Sequence, residues 1–216
     1  MISMWTIPNL LTASRIVLTP FVAWYLWQGD VETAFWLFFA AAITDLLDGN
    51  LARLLNQRSV LGAWLDPIAD KLMLLTTLAM LALTGLLPIW LLWTVVIRDA
   101  VILLGAEAYR RLTGGLDVRP TLSGKLATAL EFVLVSFTLA DLALHWGLDH
   151  WITPLAQLTA VAVALSGVRY VWLWGDKTRA YLRAHEAREV GKVNEGKVNE
   201  PKGPSATQQP TDTGES

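Results

Sequence analysis

Apolar residues in this chain gather into long runs separated by short polar stretches. Six runs, near 11–28, 33–54, 67–86, 88–109, 122–144 and 152–174, each supply the roughly 20 residues that a helix needs to cross a hydrocarbon core of about 30 Å. A backbone in lipid has to satisfy its own hydrogen bonds, so the pattern predicts an all-α, polytopic membrane protein with six transmembrane helices. The basic residues set its orientation. Connections near 29–32, 87 and 145–151 contain no Lys or Arg, whereas Arg53 and Arg58, then Arg110, Arg111 and Arg119, then Lys177, Arg179, Arg183 and Arg188 flank the opposite ends. That alternation predicts a bundle with both termini in the cytoplasm. Trp24, Trp27, Trp36, Trp90, Trp93, Trp146 and Trp151 fall near the predicted outer ends, and Trp5, Trp172 and Trp174 near the inner ones, as in the aromatic belts of membrane proteins.

Composition agrees with this pattern. Hydrophobic residues make up 54% of the 216 positions, and the mean hydropathy is +0.43. The chain has no cysteine, which excludes disulfides and thiolate metal sites. The first residues lack the basic stretch of a secretory leader, and Arg15 interrupts the early apolar run, so no cleavage is expected. Beyond residue 188 the text becomes polar and repeats a pentapeptide, Gly191–Glu195 and Gly196–Glu200. The expected division is therefore a membrane-embedded domain over 1–188 and a disordered cytoplasmic tail over 189–216. The net charge of −2 gives no reason to expect nucleic acid as a partner.

Against this apolar background, residues 45–70 stand apart. They contain Asp45, Asp48, Gly49, Ala52, Arg53, Gly62, Asp66 and Asp70, spaced D-x-x-D-G-x-x-A-R-x8-G-x-x-x-D-x-x-x-D. Ionisable groups at bilayer depth are expensive and mark functional sites by default. On helices, Asp45 and Asp48 share one face and Asp66 and Asp70 another. Two such faces meeting would crowd four carboxylates, whose mutual repulsion one or two hard divalent cations would relieve through oxygen ligands. Magnesium or manganese fits that donor set best, and the three histidines lie too far along the chain to build an imidazole site. Gly49 and Ala52 leave a shallow surface for a nucleotide, Gly62 offers the same from the facing helix, and Arg53 can grip phosphate oxygens with two parallel N–H groups.

This motif resembles the signature of the CDP-alcohol phosphatidyltransferase family, with every fixed position filled. The similarity extends to IPNLLTASRI at 7–16, and to IRDAVILLGAEAYRR at 97–111 and VRPTLSGKLATALEF at 118–132, which resemble the branch making phosphatidylglycerophosphate and cardiolipin. The resemblance implies transfer of a phosphatidyl group from CDP-diacylglycerol to an alcohol, with release of CMP, at a two-metal site on the cytoplasmic side of a bacterial inner membrane. Carried over by position, Asp45, Asp48 and Asp66 are metal ligands, and Asp70 shares in coordination or acts as general base. Gly49, Ala52, Arg53 and Gly62 line the CDP site. A homodimer is implied by the resemblance alone.

Arg98, Lys125 and Arg169, within or at the ends of predicted helices, are candidates for the acceptor's phosphate and point to an anionic acceptor. Lys125 is the strongest of them because the family carries a lysine there. Arg98-Asp99 and the segment 116–121 resemble cardiolipin synthases, which use phosphatidylglycerol. Gly124-Lys125 is also common in enzymes that use glycerol 3-phosphate, so both acceptors stay open, with phosphatidylglycerol favoured. Glu131 departs from the pattern, since relatives often have glutamine there. A transporter with an intramembrane carboxylate pathway is the alternative of another class, but its acids would be spread across the bilayer rather than clustered at two helix ends.

Overall fold

The computed structural model describes residues 7–55, 60–113 and 121–198, with side-chain detail for 12–44, 65–113, 121–181 and 183. Six helices follow in order: α1 (Ile7–Gln28), α2 (Val31–Leu55), α3 (Val60–Leu83), α4 (Ile89–Thr113), α5 (Leu122–Leu144) and α6 (Ile152–Val198), with a 3₁₀ turn at Asp149–Trp151. Every element among the described residues is helical. Three segments, Ile89–Thr113, Leu122–Leu144 and Asp149–Tyr181, are long and apolar enough to cross a membrane by length and composition, and Val31–Thr44 is a shorter apolar helix.

The connections expected outside are tight, and their chemistry explains why the helices stop. Gly29, at φ +81°, and Gly85, at φ +82°, take the left-handed conformation after α1 and α3 that a side chain would strain. Asp30 starts α2, its Oδ1 accepting from the Thr33 N–H at 3.1 Å. Hydrogen bonds from the Thr33 hydroxyl and then its backbone N–H hold the Asp30 carboxyl below the ordinary carboxylate range. A depressed carboxylate stabilises above its unfolded pKa, so this cap persists at neutral pH and is lost only as the pH falls through the lowered value. After α5, His145 adopts φ 53°, and Asp141 Oδ1 accepts from Leu148 N–H at 2.7 Å, folding the chain back toward α6.

Residues up to Trp172 form one compact unit and those from Leu173 a second. In the first, α1 packs on α2 and α3, α5 rests against α2 and α3, and α4 lies along α3. Toward the outer turns the core is aliphatic, with Val22, Leu26, Ala34, Leu78, Leu81, Leu87, Leu91 and Leu139 almost wholly buried. Phe38 of α2 meets Phe132 of α5 with ring centroids 5.9 Å apart. Trp24, Trp27, Trp36, Trp90, Trp93, Trp146 and Trp151 are all exposed around those same turns, where an interfacial belt was expected.

Two boundaries differ from expectation. α3 begins at Val60 rather than near 67, carrying Pro67 inside it. α6 stays helical to Val198, so the disorder expected from 189 is not seen through Val198, although Gly191, Gly196 and the valines of that stretch have low helix propensity. Residues 199–216 of the expected tail lie outside the described residues. Single cysteines at Glu32 and Asp149 should react with a membrane-impermeant maleimide added from outside, and labelling restricted to the cytoplasmic side would overturn the orientation.

Candidate active site

At the end of the bundle opposite the short turns, the halves of α2 to α5 and a turn of α6 leave a cavity of about 820 Å³. Arg15, Asp70, Lys71, Arg98, Asp99, Lys125 and Glu131 all reach its wall, among apolar residues such as Phe38, Met73 and Val95.

Its acidic side is built on α3. Asp66 and Asp70, four residues apart, lie on one helix face, and Pro67 between them removes the backbone N–H that would bond the carbonyl four residues back. Both carboxylates are tied to α1. Thr12 Oγ1 donates to Asp66, Arg15 Nη2 lies 3.5 Å from the same Asp66 Oδ1, and Arg15 Nη1 pairs with Asp70. Arg15 is 2% exposed while the two carboxylates remain 42% and 48% exposed. The arginine is therefore a buried clamp from behind, and the acids keep an open face.

The basic side is a network spanning four helices. Asp99 Oδ1 on α4 takes Arg98 Nη1 at 2.9 Å and Lys71 Nζ of α3 at 2.7 Å. Arg98 Nη2 donates to Ser166 Oγ of α6 at 3.1 Å and to the Gly124 carbonyl of α5 at 3.4 Å. Gly124 lets α5 approach closely, because a Cβ there would sit 3.2 Å from Thr121 Oγ1 and from Tyr170 Cε2 and Oη, which would have to give by a few tenths of an ångström. Thr121 caps α5 by accepting from Gly124 N–H, and its own N–H donates to Tyr170 Oη at 3.3 Å. This packing places Lys125 at the cavity wall, with no ion-pair partner among the described residues.

The structure therefore joins Asp70, Arg98 and Lys125 around one cavity. Arg169, by contrast, is exposed on α6 and is not among the cavity residues. Asp45, Asp48, Gly49, Ala52 and Arg53 lie on α2 and Gly62 on α3, but their side chains fall outside the described residues. No group of three or more metal-ligating side chains occurs among the described residues. Asp66 and Asp70 nevertheless present open carboxylate oxygens, the donor chemistry that a hard divalent cation needs. Sequence reasoning read Arg15 only as an interruption of an apolar run and did not single out Thr12; one cation inside a membrane-length segment was the available signal.

Fold and cavity together define a polytopic membrane protein with a charged site sunk into one end of its helix bundle. A family model described as CDP-alcohol phosphatidyltransferase matches residues 5–168, and the chain belongs to that family. The family generally uses divalent metal ions. Among individual proteins, the chain is 38% identical over 185 residues to the probable cardiolipin synthase (CMP-forming) of Drosophila melanogaster, covering 77% of this chain and 56% of the fly protein. It is 34% identical over 194 residues to the cardiolipin synthase (CMP-forming) of Streptomyces coelicolor, covering 85% and 87%. It is also 36% identical over 153 residues to the CDP-diacylglycerol–glycerol-3-phosphate 3-phosphatidyltransferase of Cereibacter sphaeroides, covering 68% and 66%. The chain thus spans little more than half the length of the fly relative.

Proposed function

We propose that this protein is a phosphatidyltransferase that moves a phosphatidyl group from CDP-diacylglycerol to phosphatidylglycerol, giving cardiolipin and CMP. The observation that carries the reading is the cavity itself, whose wall includes both Asp70 of the family motif and the cationic Lys125. In this reading Asp70 accepts the proton of the acceptor hydroxyl, whose oxygen attacks the β-phosphorus, and the bond to the bridging oxygen breaks as CMP leaves. Magnesium or manganese ions held by Asp45, Asp48, Asp66 and Asp70 would neutralise charge on the pyrophosphate. Gly49, Ala52, Arg53 and Gly62 receive the CDP moiety, and Lys125 holds the acceptor phosphate with Arg98 behind it. Arg98 commits both Nη groups to Asp99, Ser166 and Gly124, which leaves its Nε–H for a ligand. The site faces the cytoplasm, an orientation supported by the basic residues at that end, and a bacterial inner membrane rests on the family resemblance alone. A homodimer rests on the family resemblance alone.

Glycerol 3-phosphate is the second acceptor to consider, favoured by the likeness to the Cereibacter sphaeroides protein. Purified protein given CDP-diacylglycerol and each acceptor separately should release CMP only with a divalent cation, and should form cardiolipin in preference to phosphatidylglycerophosphate. Chelation that leaves CMP release untouched would remove the metal site, and absence of CMP release with either acceptor would return the transporter reading. Lys125→Ala should raise the acceptor's KM roughly 10- to 100-fold, the worth of one charge-assisted hydrogen bond, with a smaller effect on CDP-diacylglycerol.

A further inference from the structure

One buried charge in the cavity has no assigned duty. Glu131 projects from the first half of α5, is 6% exposed, lines the same cavity as Asp70 and Lys125, and its Oε1 has no hydrogen-bond partner. Arg98, Asp99 and Lys71 lie within electrostatic reach, but both cations are turned onto Asp99. A carboxylate oxygen enclosed in this way is stable only when a donor reaches it. Three headgroup chemistries can be compared. A phosphate offers only acceptors and gives the oxygen no donor. A quaternary ammonium has no N–H to give. A hydroxyl donates one hydrogen bond and carries no charge, and so satisfies the oxygen.

We propose that Glu131 selects a glycerol headgroup, its Oε1 accepting a hydrogen bond from the secondary hydroxyl of the acceptor while the adjacent primary hydroxyl is presented for transfer. This inference rests on the phosphatidyltransferase reading and deepens it. Lys125 and the Arg98 Nε–H take the phosphate of the headgroup, and Glu131 takes the hydroxyl next to the reacting carbon. Phosphatidylglycerol and glycerol 3-phosphate share this chemistry, since each bears a secondary hydroxyl beside the primary one. Glu131 is a specificity-determining residue in this scheme, and proton transfer stays with Asp70.

The test uses the full chain in lipid nanodiscs with CDP-diacylglycerol and two matched acceptor pairs. One pair is phosphatidylglycerol and its analogue built on 1,3-propanediol; the other is glycerol 3-phosphate and 3-hydroxypropyl phosphate. The unsubstituted protein should prefer the secondary hydroxyl by roughly 10- to 100-fold in kcat/KM, in whichever pair it uses, and that pair identifies the lipid or the soluble source. Glu131→Leu should bring the preference below about threefold. Glu131→Gln, which keeps an acceptor oxygen, should retain part of the preference. Both variants should melt no earlier than the parent, because the substitution removes a buried group without a partner. A preference that survives in both variants, or is absent from the parent, overturns the role of Glu131 and leaves the transferase reading standing. Failure of the parent to release CMP with any acceptor overturns both.

Discussion

Asp70→Asn is expected to lower phosphatidyl transfer by roughly 100- to 10,000-fold, the usual contribution of a positioned general base, while the protein stays folded and keeps more of its CDP-diacylglycerol binding than Asp66→Asn. The asparagine matches aspartate in shape but cannot take the proton of the attacking hydroxyl. Folding is preserved because the Asp70 side chain is 48% exposed and Arg15, its buried partner, keeps Asp66 at 3.5 Å. Asp66→Asn makes the informative contrast. It removes a charged oxygen ligand, so its loss should fall first on metal-dependent binding of CDP-diacylglycerol. Lipid product and nucleotide-lipid binding are measured separately on purified variants. Transfer by Asp70→Asn within tenfold of the parent would show that another group takes the proton.

The second large effect concerns stability. Arg98→Leu should destabilise the bundle by about 3 kcal/mol, because it strips Asp99 of one of two cations in an interior where an orphaned charge is costly. Arg98 and Asp99 are 7% and 8% exposed, and the arginine also releases Ser166 and the Gly124 carbonyl. Lys71 remains on Asp99 at 2.7 Å, which holds the cost near the lower end for a broken buried pair. Replacing both members, Arg98→Leu with Asp99→Leu, should restore much of the loss. Thermal unfolding in detergent provides the measurement, and a single variant as stable as the parent would mean that the network adds nothing to the fold.

How much of this was legible in the sequence depended on the range of the interactions involved. The six helices follow from the lengths of the apolar runs, since crossing the bilayer is a local requirement on about 20 consecutive residues. The shared face of Asp66 and Asp70 was equally local, being a matter of helical spacing. The start of α3 was misplaced because Pro67 and the acids around it looked like the edge of a span, whereas the helix carries the proline inside it. The α6 boundary was misplaced for the opposite reason. Its polar text read as disorder, yet the helix runs on through Gly191 and Gly196 to Val198.

Long-range pairings were out of reach. Nothing near Arg15 announces that it meets acids more than fifty residues away, because that contact exists only once α1 lies along α3. Asp99 stood out only as the neighbour of Arg98, yet it is the hinge on which Lys71 and Arg98 both turn. Lys71 directly follows Asp70 in the sequence, yet its ammonium crosses to Asp99 of α4. Glu131 was visible as a departure from relatives, but its burial without a partner is a property of packing.

The aliphatic outer core has a consequence of its own. A recess lined by seven acidic and basic side chains would be hazardous in an energised membrane if it opened at both ends, since protons and metal ions would run down the voltage through it. Leu26, Leu78, Leu81, Leu87, Leu91 and Leu139 close the far side with hydrocarbon, leaving ions a steep Born barrier where the recess ends. Charged chemistry can then proceed at lipid depth while the membrane remains electrically tight.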